Sequence, residues 1–447
     1  MESSSRQTTG PPPESISRRR WFVFGVVVAL NFGVWLDEAK VSQLAPFWSD
    51  SLALTPAQVP GVLSAYLLGY APMLAIAGVL ADRFGSKIML LTCGFGVTVL
   101  SVSMVFVRTY NEMWWRNLAF GFVFGLLLAP TFRILATWFP SHERTKVTSL
   151  TTGACAGISS MVTPLIALPI ANHASWQLAF IAVAVFTVPP LILLFWISDE
   201  PRRMRGISAG EIALIEGVEA AAARQLGRVG FREMLSLLRN RSVILFGISG
   251  LLISPIWLSL NWLSFGLINL DKVNPDVVAV VLPAITVIPV TFSFLNGLVL
   301  QRVFGGRTCM WIAVGFLLGG VAFLIAALVP MGWVPWALLL GGGVMVANLI
   351  YFGTMNAYWA ELAGPRFTGT LSRITSCLQV VAGMFLVKRS GSWFNENATG
   401  HARLATTMAV GGGIMLVAIV PVMLSKEVRV ERTAAVEPLR ETSAERA

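Results

Sequence analysis

Apolar segments of about 20 residues recur along almost the whole chain, and this recurrence limits the possible folds more than any other feature. A helix of about 20 residues spans the hydrocarbon core of a bilayer. The chain of 447 residues is 55% hydrophobic and only 13% charged, which is far more apolar than a soluble protein of this size. We therefore predict an all-α polytopic membrane protein with 12 transmembrane helices. The predicted spans are 21–46, 58–79, 88–107, 113–139, 147–170, 176–197, 243–268, 276–299, 309–329, 333–359, 369–388 and 403–424.

The positions of arginine and lysine predict the orientation of the chain. Loops on the cytoplasmic side carry an excess of these residues. An even number of spans places both termini on the same side of the membrane. The joins on that side contain most of the arginine and lysine residues, so both termini are predicted to be cytoplasmic. The predicted organisation is a disordered tail at 1–20, a six-helix half at 21–197, a linker at 198–242, a second six-helix half at 243–424 and a cytoplasmic tail at 425–447.

A short polar join after the second span recurs after the eighth span. The first copy runs from Gly78 to Lys87 and the second from Gly297 to Arg307. Each has a glycine, three apolar residues, a polar residue and an arginine, followed by another glycine and a cation. This motif resembles that of the major facilitator superfamily, and the resemblance implies two six-helix halves related as parallel repeats. The residues expected to act in gating are Gly78, Asp82, Arg83, Gly85, Lys87, Gln301, Arg302 and Arg307.

Within this motif, Asp82 is expected to hold a gate closed. A carboxylate at the end of one helix can cap the N-terminus of a partner helix, and the resemblance implies the same role. Gln301 stands at the equivalent place in the second copy, without a charge. The two halves are therefore expected to contribute unequally to gating.

Three ionisable residues lie close together in the first span, namely Asp37, Glu38 and Lys40. Such groups are costly inside a membrane and usually mark a transport pathway. Asp37 and Lys40 are three residues apart and share a helical face, so we predict an ion pair between them. Glu38 points about 100° away and has no such partner, which makes it the better proton carrier. The alternative is that the span ends early and all three residues lie in an outer loop.

Further polar residues within the spans are candidates for contact with a ligand. Tyr66 and Tyr70 are four residues apart and share a face, whereas Arg116 and Arg373 offer guanidinium groups that match carboxylates. The alternatives are a place in the aromatic belt for Arg116, snorkelling to the interface for Arg373 and an interhelical hydrogen bond for Gln379. The predicted substrate-binding residues are Tyr66, Tyr70, Arg116, Arg373, Lys40 and Gln379, and the predicted coupling residues are Asp37 and Glu38.

Within the superfamily, the chain resembles the anion:cation symporter family, which includes sugar-acid and phthalate permeases and sialin-like carriers. The resemblance covers most of residues 20–425 and includes Leu36-Asp37, Trp138-Phe139-Pro140 and Gly369-Thr370. It implies that the positions of Asp37, Tyr70 and Arg116 hold an organic anion while an acidic group carries a proton or another cation. The chain departs from the family pattern at Glu38, where relatives usually have arginine, and in having one extra residue between Arg116 and Gly121.

Composition and motifs argue against several other functions. The four cysteines and three histidines are scattered singly, so no metal site or cofactor is predicted, and topology explains the net charge of +10 better than nucleic-acid binding. We expect a monomeric, multi-pass transporter of the cytoplasmic membrane, not an enzyme, that couples a small organic anion to protons (or another cation) by alternating access. The alternatives are a proton-coupled drug or metabolite exporter, a membrane-embedded enzyme and a non-transporting receptor.

Overall fold

The computed structural model describes residues 18–140, 143–144, 147–148, 150–215 and 239–429. Most of the predicted tail at 1–20 lies outside the described residues, as do 216–238 of the predicted linker and the last tail beyond 429.

The described part of the chain contains 12 helices that are long and apolar enough to cross a membrane, as the sequence predicts. The first six are α1 (Arg19–Gln43), α2 (Val59–Phe84), α3 (Ser86–Phe106), α4 (Tyr110–Trp138), α5 (Cys155–His173) and α6 (Trp176–Trp196). The last six are α7 (Arg241–Leu270), α8 (Pro275–Ser293), α9 (Thr308–Leu328), α10 (Trp333–Ala363), α11 (Phe367–Trp393) and α12 (Gly400–Leu424). The helix that contains α8 continues to Arg302.

The largest difference from the predicted boundaries is at the start of α5. The sequence predicts a span from residue 147; residues 147–148 are α-helical, and the long regular α-helix begins at Cys155. The preceding segment Leu150–Ala154 is a π-helix, in which each backbone hydrogen bond reaches one residue further along the chain. A π-helix and an α-helix have no distinct hydropathy signals, so hydropathy alone could not locate this change.

Large apolar side chains lie on the outer surface of the helices. Phe95 on α3 is 63% exposed, and Val280 on α8 and Phe385 on α11 are each 62% exposed. Exposure of apolar area to water costs about 25 cal/mol per Å², whereas contact with lipid chains removes that cost. The outer surface is therefore suited to a bilayer.

Helices α2 and α4 touch through two glycines. A Cβ atom at Gly69 would lie 2.2 Å from the carbonyl oxygen of Leu118, and one at Gly121 would lie 2.1 Å from the carbonyl oxygen of Tyr66. Only residues without a side chain allow the two backbones to approach so closely. This approach places the ring of Tyr66 5.7 Å from that of Phe124.

An acidic residue caps the start of the third helix in each set of six. After α6, Asp199 Oδ1 accepts a hydrogen bond of 2.7 Å from Lys87 N at the start of α3. After α12, Glu427 accepts hydrogen bonds from Cys309 N at 2.9 Å and Met310 N at 3.2 Å at the start of α9. Carboxylates satisfy the free amides there and interact favourably with the helix dipole. The last helix of each set is thereby tied to its third helix.

The membrane face at which α1 begins and α12 ends is here named the terminal face, and the other is named the opposite face. At the opposite face, Asp276 Oδ2 at the start of α8 accepts a hydrogen bond from Asn172 Nδ2 of α5 at 3.1 Å and lies 3.0 Å from His173 Nε2. Asn269 Nδ2 at the end of α7 donates a hydrogen bond of 3.0 Å to Asp50 Oδ1, just beyond α1. These contacts join the first six helices to the last six, and in this sense the opposite face is called closed.

Candidate functional site

The predicted ion pair between Asp37 and Lys40 is present, and it is fully buried inside the first six helices. Lys40 Nζ also donates hydrogen bonds to Ser101 Oγ of α3 at 2.9 Å and to the carbonyl oxygen of Phe180 of α6 at 3.0 Å. Asp37 in turn accepts hydrogen bonds from Ser101 Oγ at 2.8 Å and Thr187 Oγ1 at 3.1 Å. Both charged groups are thus satisfied by protein alone.

The surroundings of Lys40 differ from those expected of a ligand contact. An ammonium group has three donors, and all three are used by Asp37, Ser101 and Phe180. Helix α1 continues to Gln43, so the three ionisable residues lie within a helix and not in a loop. In this structure Lys40 has no donor left for a transported anion, and the pair of Asp37 and Lys40 holds α1 against α3 and α6. The predicted roles of Lys40 in binding and of Asp37 in coupling stay predictions.

Glu38 lies on a different side of α1 from this buried pair. Its carboxyl group faces the hydroxyl of Tyr66 and lies near that of Tyr70, both on α2. The two tyrosine rings are stacked, with centroids 5.7 Å apart, and each residue is at most 8% exposed. Glu38 forms no ion pair within the described residues and is itself only partly buried. The structure therefore brings together three of the predicted site residues, one acid and two phenols.

An aromatic wall closes one side of this group. The ring of Phe124 on α4 lies edge-on to the rings of Tyr66 and Tyr70 and to that of Trp35, one turn before Glu38 on α1. The indole Nε1 of Trp35 is buried and has no hydrogen-bond acceptor within the described residues. Trp35 and Phe124 were not predicted as site residues, because aromatic residues are common throughout apolar spans and carry no specific signal by themselves.

Arg116 lies one turn before Phe120 on α4, outside the group around Glu38. Its Nη1 is 3.5 Å from Glu112 Oε2, and its side chain is 24% exposed. Glu112 also accepts a hydrogen bond of 3.0 Å from Arg108 N. The contact with Glu112 uses only one of the five donors of the Arg116 guanidinium, and the predicted role of Arg116 as an anion contact stays a prediction.

Arg373 is an exposed cation on α11, next to the second helix. A Cβ atom at Gly78 of α2 would lie 2.8 Å from Arg373 Nη1. Arg373 forms no ion pair within the described part of the chain. Its guanidinium donors are therefore available for an anion.

Gln379, two turns further along α11, is only 5% exposed. It shares a helical face with Thr375 and Gly383, each four residues away. Both of these residues pack against α7, where Gly250 meets Thr375 and Trp257 meets Gly383. This position fits the alternative of packing between helices, and a role in ligand binding stays a prediction.

The polar join between α2 and α3 has the sharp turn that its glycines predict. Gly85 has a φ of +89°, and a Cβ atom there would lie 2.5 Å from Asp199 Oδ2, so only glycine fits both the backbone and the space. Asp82 Oδ1 lies 3.0 Å from Arg133 Nη1 of α4, which also donates to the carbonyl oxygen of Ala81. The predicted cap of a partner helix by Asp82 stays a prediction.

The other cations of the two motif copies lie at the terminal face. Lys87 Nζ donates a hydrogen bond of 2.7 Å to the carbonyl oxygen of Phe195 at the end of α6. Arg83 and Arg302 are exposed, and Gln301 is partly exposed. Arg307 precedes α9 and pairs with Arg429 through an isolated antiparallel bridge. Each copy thus connects its third helix to the segment that follows the sixth helix of the same set.

The variant Asp82→Asn is expected to slow transport while leaving equilibrium substrate binding within a few-fold of normal. Asparagine keeps a hydrogen-bond acceptor but loses the charge that faces Arg133. Uptake rates and substrate titrations of the purified protein measure the two effects. Glu396→Gln is the control, since Glu396 is an exposed acid at the opposite face, away from this join. A large loss of affinity in Asp82→Asn with an unchanged conformational equilibrium would contradict the gating role.

Cysteines introduced at Asp50 and Asn269 are expected to form a disulfide that stops nearly all transport. These two side chains hydrogen-bond across the closed opposite face, and a transporter working by alternating access must separate them. Uptake is measured before and after addition of reductant, which should restore activity. The single variants Asp50→Cys and Asn269→Cys are the controls. Normal uptake by a fully cross-linked protein would show that this face does not open.

Within the described residues, no three or more histidine, cysteine or acidic side chains lie close enough together to hold a metal ion.

The family comparison matches residues 21–387 to the model described as Major Facilitator Superfamily. Solved structures show the same fold. A D-xylose-proton symporter superposes with a TM-score of 0.71 at 15% identity, over 91% of this chain and 97% of that chain. A bacterial homologue of the human lysosomal transporter Spinster, in an inward-facing conformation, gives a TM-score of 0.68 at 13% identity, over 92% of this chain and 96% of that chain.

Curated relatives are named as transporters and not as enzymes. A probable sulfoacetate transporter of Cupriavidus necator is 26% identical over 48% of this chain and 52% of its own length. A hexuronate transporter of Bacillus subtilis is 25% identical over 38% of this chain and 40% of its own length. A galacturonate transporter of Dickeya chrysanthemi is 23% identical over 54% of this chain and 70% of its own length. The chain spans about half the length of the first curated relatives it matches.

Proposed function

Because the chain belongs to the major facilitator superfamily, we propose that it carries a small organic anion across the cytoplasmic membrane together with protons. The chain is a multi-pass membrane transporter of this superfamily with 12 membrane helices in its described part. We propose an organic anion as its cargo, the proton as its coupling ion and the cytoplasmic membrane as its location. Alternating access between the terminal and opposite faces is the proposed cycle.

The observation that carries the proposal is the position of Glu38. It is an acid within a membrane helix, it has no ion-pair partner in the described residues, and it lies beside the hydroxyls of Tyr66 and Tyr70. Removal of a carboxyl group from water favours its neutral, protonated form, while a phenol hydroxyl can donate a hydrogen bond to its ionised form. Glu38 is therefore suited to gain and lose a proton during a transport cycle.

The relatives and the free cation of α11 support an anionic cargo. Names of the relatives include hexuronate, galacturonate, galactonate and gallate transporters, all of which refer to organic acids. Arg373 is exposed and has no ion-pair partner among the described residues. Its planar guanidinium can bind a carboxylate through two parallel hydrogen bonds. We propose Arg373 as the first contact of the carboxylate and Tyr66 and Tyr70 as donors to the rest of the cargo.

The variant Arg373→Gln is expected to weaken cargo binding by about 1.5–3 kcal/mol, or about 10- to 150-fold in Kd, the range for a hydrogen bond to a charged group. The variant Arg373→Lys should restore only part of the affinity, because an ammonium group cannot make the two parallel hydrogen bonds of a guanidinium. Arg389→Gln is the matched control, since Arg389 is an exposed cation at the other end of the same helix. Unchanged affinity in Arg373→Gln would assign this arginine to the membrane interface.

The closed opposite face supports alternating access as the cycle. With both termini in the cytoplasm, as the distribution of arginine and lysine predicts, the opposite face is the external one. The contacts of Asp276 and Asp50 then close the external gate. An outward-open state would require both sets of contacts to separate.

Uptake into proteoliposomes tests the function directly. Purified full-length protein is reconstituted, and labelled hexuronate, galacturonate, galactonate, gallate and sulfoacetate are offered with and without an inward proton gradient. We expect accumulation of at least one acid above its external concentration, only with the gradient. Export of cationic drugs with no uptake of any organic acid would instead favour a drug exporter.

A further inference from the structure

A cavity of about 940 Å³ opens at the terminal face, separate from the group around Glu38. It lies among the first six helices and the segment that follows α6. Its charged lining residues are Arg19, Lys87, Arg133, Arg203, Arg205, Asp82, Asp199 and Glu200. Among the described residues, five cations thus face three acids, which gives the lining an excess of positive charge.

The excess charge is concentrated on three of these cations. The three acids are engaged elsewhere: Asp82 lies against Arg133 and Glu200 against Arg203, and Asp199 accepts from a backbone amide of α3. The remaining cations contact only carbonyl groups or nothing in the described chain. Arg19 Nε donates to Gly206 O at 3.4 Å and Lys87 Nζ donates to Phe195 O at 2.7 Å, whereas Arg205 has no partner among the described residues. Most of their donors have no acceptor among the described residues, since arginine has five donors and lysine three.

The edge of the cavity is apolar and exposed. Phe195 and Trp196 at the end of α6 are each 65% exposed, and Ile88 near the start of α3 is 52% exposed. All three belong to membrane helices and also line the cavity. A molecule bound here would meet cations on one side and a lipid-facing apolar surface on the other.

We infer that this cavity binds the phosphate head group of an anionic phospholipid in the membrane leaflet at the terminal face. The phosphate diester lies between Arg19, Lys87 and Arg205, and the acyl chains follow Ile88, Phe195 and the outer surface of α6. Basic pockets between membrane helices are suited to such head groups. A free phosphate ion has the same charge chemistry but makes no use of the apolar edge, so the two ligands can be distinguished. This inference is independent of the cargo and of the coupling ion.

Purified full-length protein, stripped of lipid in detergent, is titrated with dioctanoyl phosphatidylglycerol. Binding is read from tryptophan fluorescence, to which Trp196 at the cavity edge contributes. Dioctanoyl phosphatidylcholine and inorganic phosphate are titrated in parallel. We expect saturable binding of phosphatidylglycerol, with much weaker responses to the other two probes. An equal response to phosphatidylcholine would overturn the site's preference for anions, and an equal response to inorganic phosphate would overturn its assignment to a lipid.

Variants locate the binding in this cavity. The double variant Lys87→Gln/Arg205→Gln is expected to weaken binding of phosphatidylglycerol about 25-fold, from about fivefold for each basic residue. Arg205→Gln alone removes an exposed side chain without a described partner, so it should fold normally and weaken binding about fivefold. Lys388→Gln/Arg389→Gln removes two cations at the opposite face and should leave the affinity unchanged. Equal affinity in Arg205→Gln, or an equal loss in Lys388→Gln/Arg389→Gln, would overturn the site.

Discussion

The variant Glu38→Gln is expected to lose uphill, proton-driven uptake completely while it keeps downhill exchange of cargo across the membrane. Glutamine preserves the size of the side chain and its hydrogen bonding to Tyr66, but it cannot carry a proton. Under the proposed coupling, protonation of Glu38 and cargo binding favour each other in the normal protein. The apparent affinity for cargo should therefore rise as the pH falls, and this dependence should be flat in the variant. Counterflow and gradient-driven uptake in the same proteoliposomes measure the two activities.

Glu396→Gln is the matched control for this experiment. Glu396 is an exposed acid in the join between α11 and α12 at the opposite face, so its neutralisation should leave both activities and the pH dependence unchanged. Accumulation of cargo by Glu38→Gln against its gradient, with a normal pH dependence, would place proton coupling at another residue.

The variant Lys40→Met is expected to destabilise the folded protein by about 3–5 kcal/mol, the cost of leaving one charge of a buried pair without its partner. Methionine removes the charge that Asp37 faces and all three donors of the network with Ser101 and Phe180. Asp37→Asn should cost a similar amount, because it leaves Lys40 unpaired in an apolar site. Thermal unfolding in detergent, followed by tryptophan fluorescence, measures the loss.

The double variant Asp37→Asn/Lys40→Met separates a structural role from a role in binding. Replacement of both members of a buried pair is often close to neutral for stability, so the double variant should regain much of the stability lost in each single variant. Its cargo affinity, measured at low temperature, should then be near normal. If Lys40→Met were as stable as the unmodified protein but failed to bind any cargo, Lys40 would be a ligand contact after all.

The sequence predicts the fold well because membrane helices depend mainly on length and hydropathy. All 12 predicted spans correspond to helices of the described chain, and the pairing of Asp37 with Lys40 follows from helical spacing alone. The turn at Gly85, with a φ of +89°, is of the kind that glycine permits. These features depend on residues close together in the chain, which is why local patterns reveal them.

The surroundings of the site could not be predicted in the same way. Ser101 and Thr187 complete the network around Asp37 from 64 and 150 residues away, and no local pattern relates them to α1. Lys40 was predicted as a ligand contact because a charge within a span usually marks a pathway. The direction of its side chain, toward α3 and α6, depends on how the helices pack. The sequence also gives no sign that Asp199, beyond α6, caps α3.

Proton movement that accompanies cargo entry tests the central claim most directly. Proteoliposomes are loaded with a pH-sensitive dye, and each organic acid of the uptake panel is added outside without any imposed proton gradient. Coupled transport predicts that the interior becomes acidic only when a transported acid is added, that the signal saturates with cargo concentration and that Glu38→Gln abolishes it. Entry of labelled cargo with no change of internal pH would contradict the proposed proton coupling.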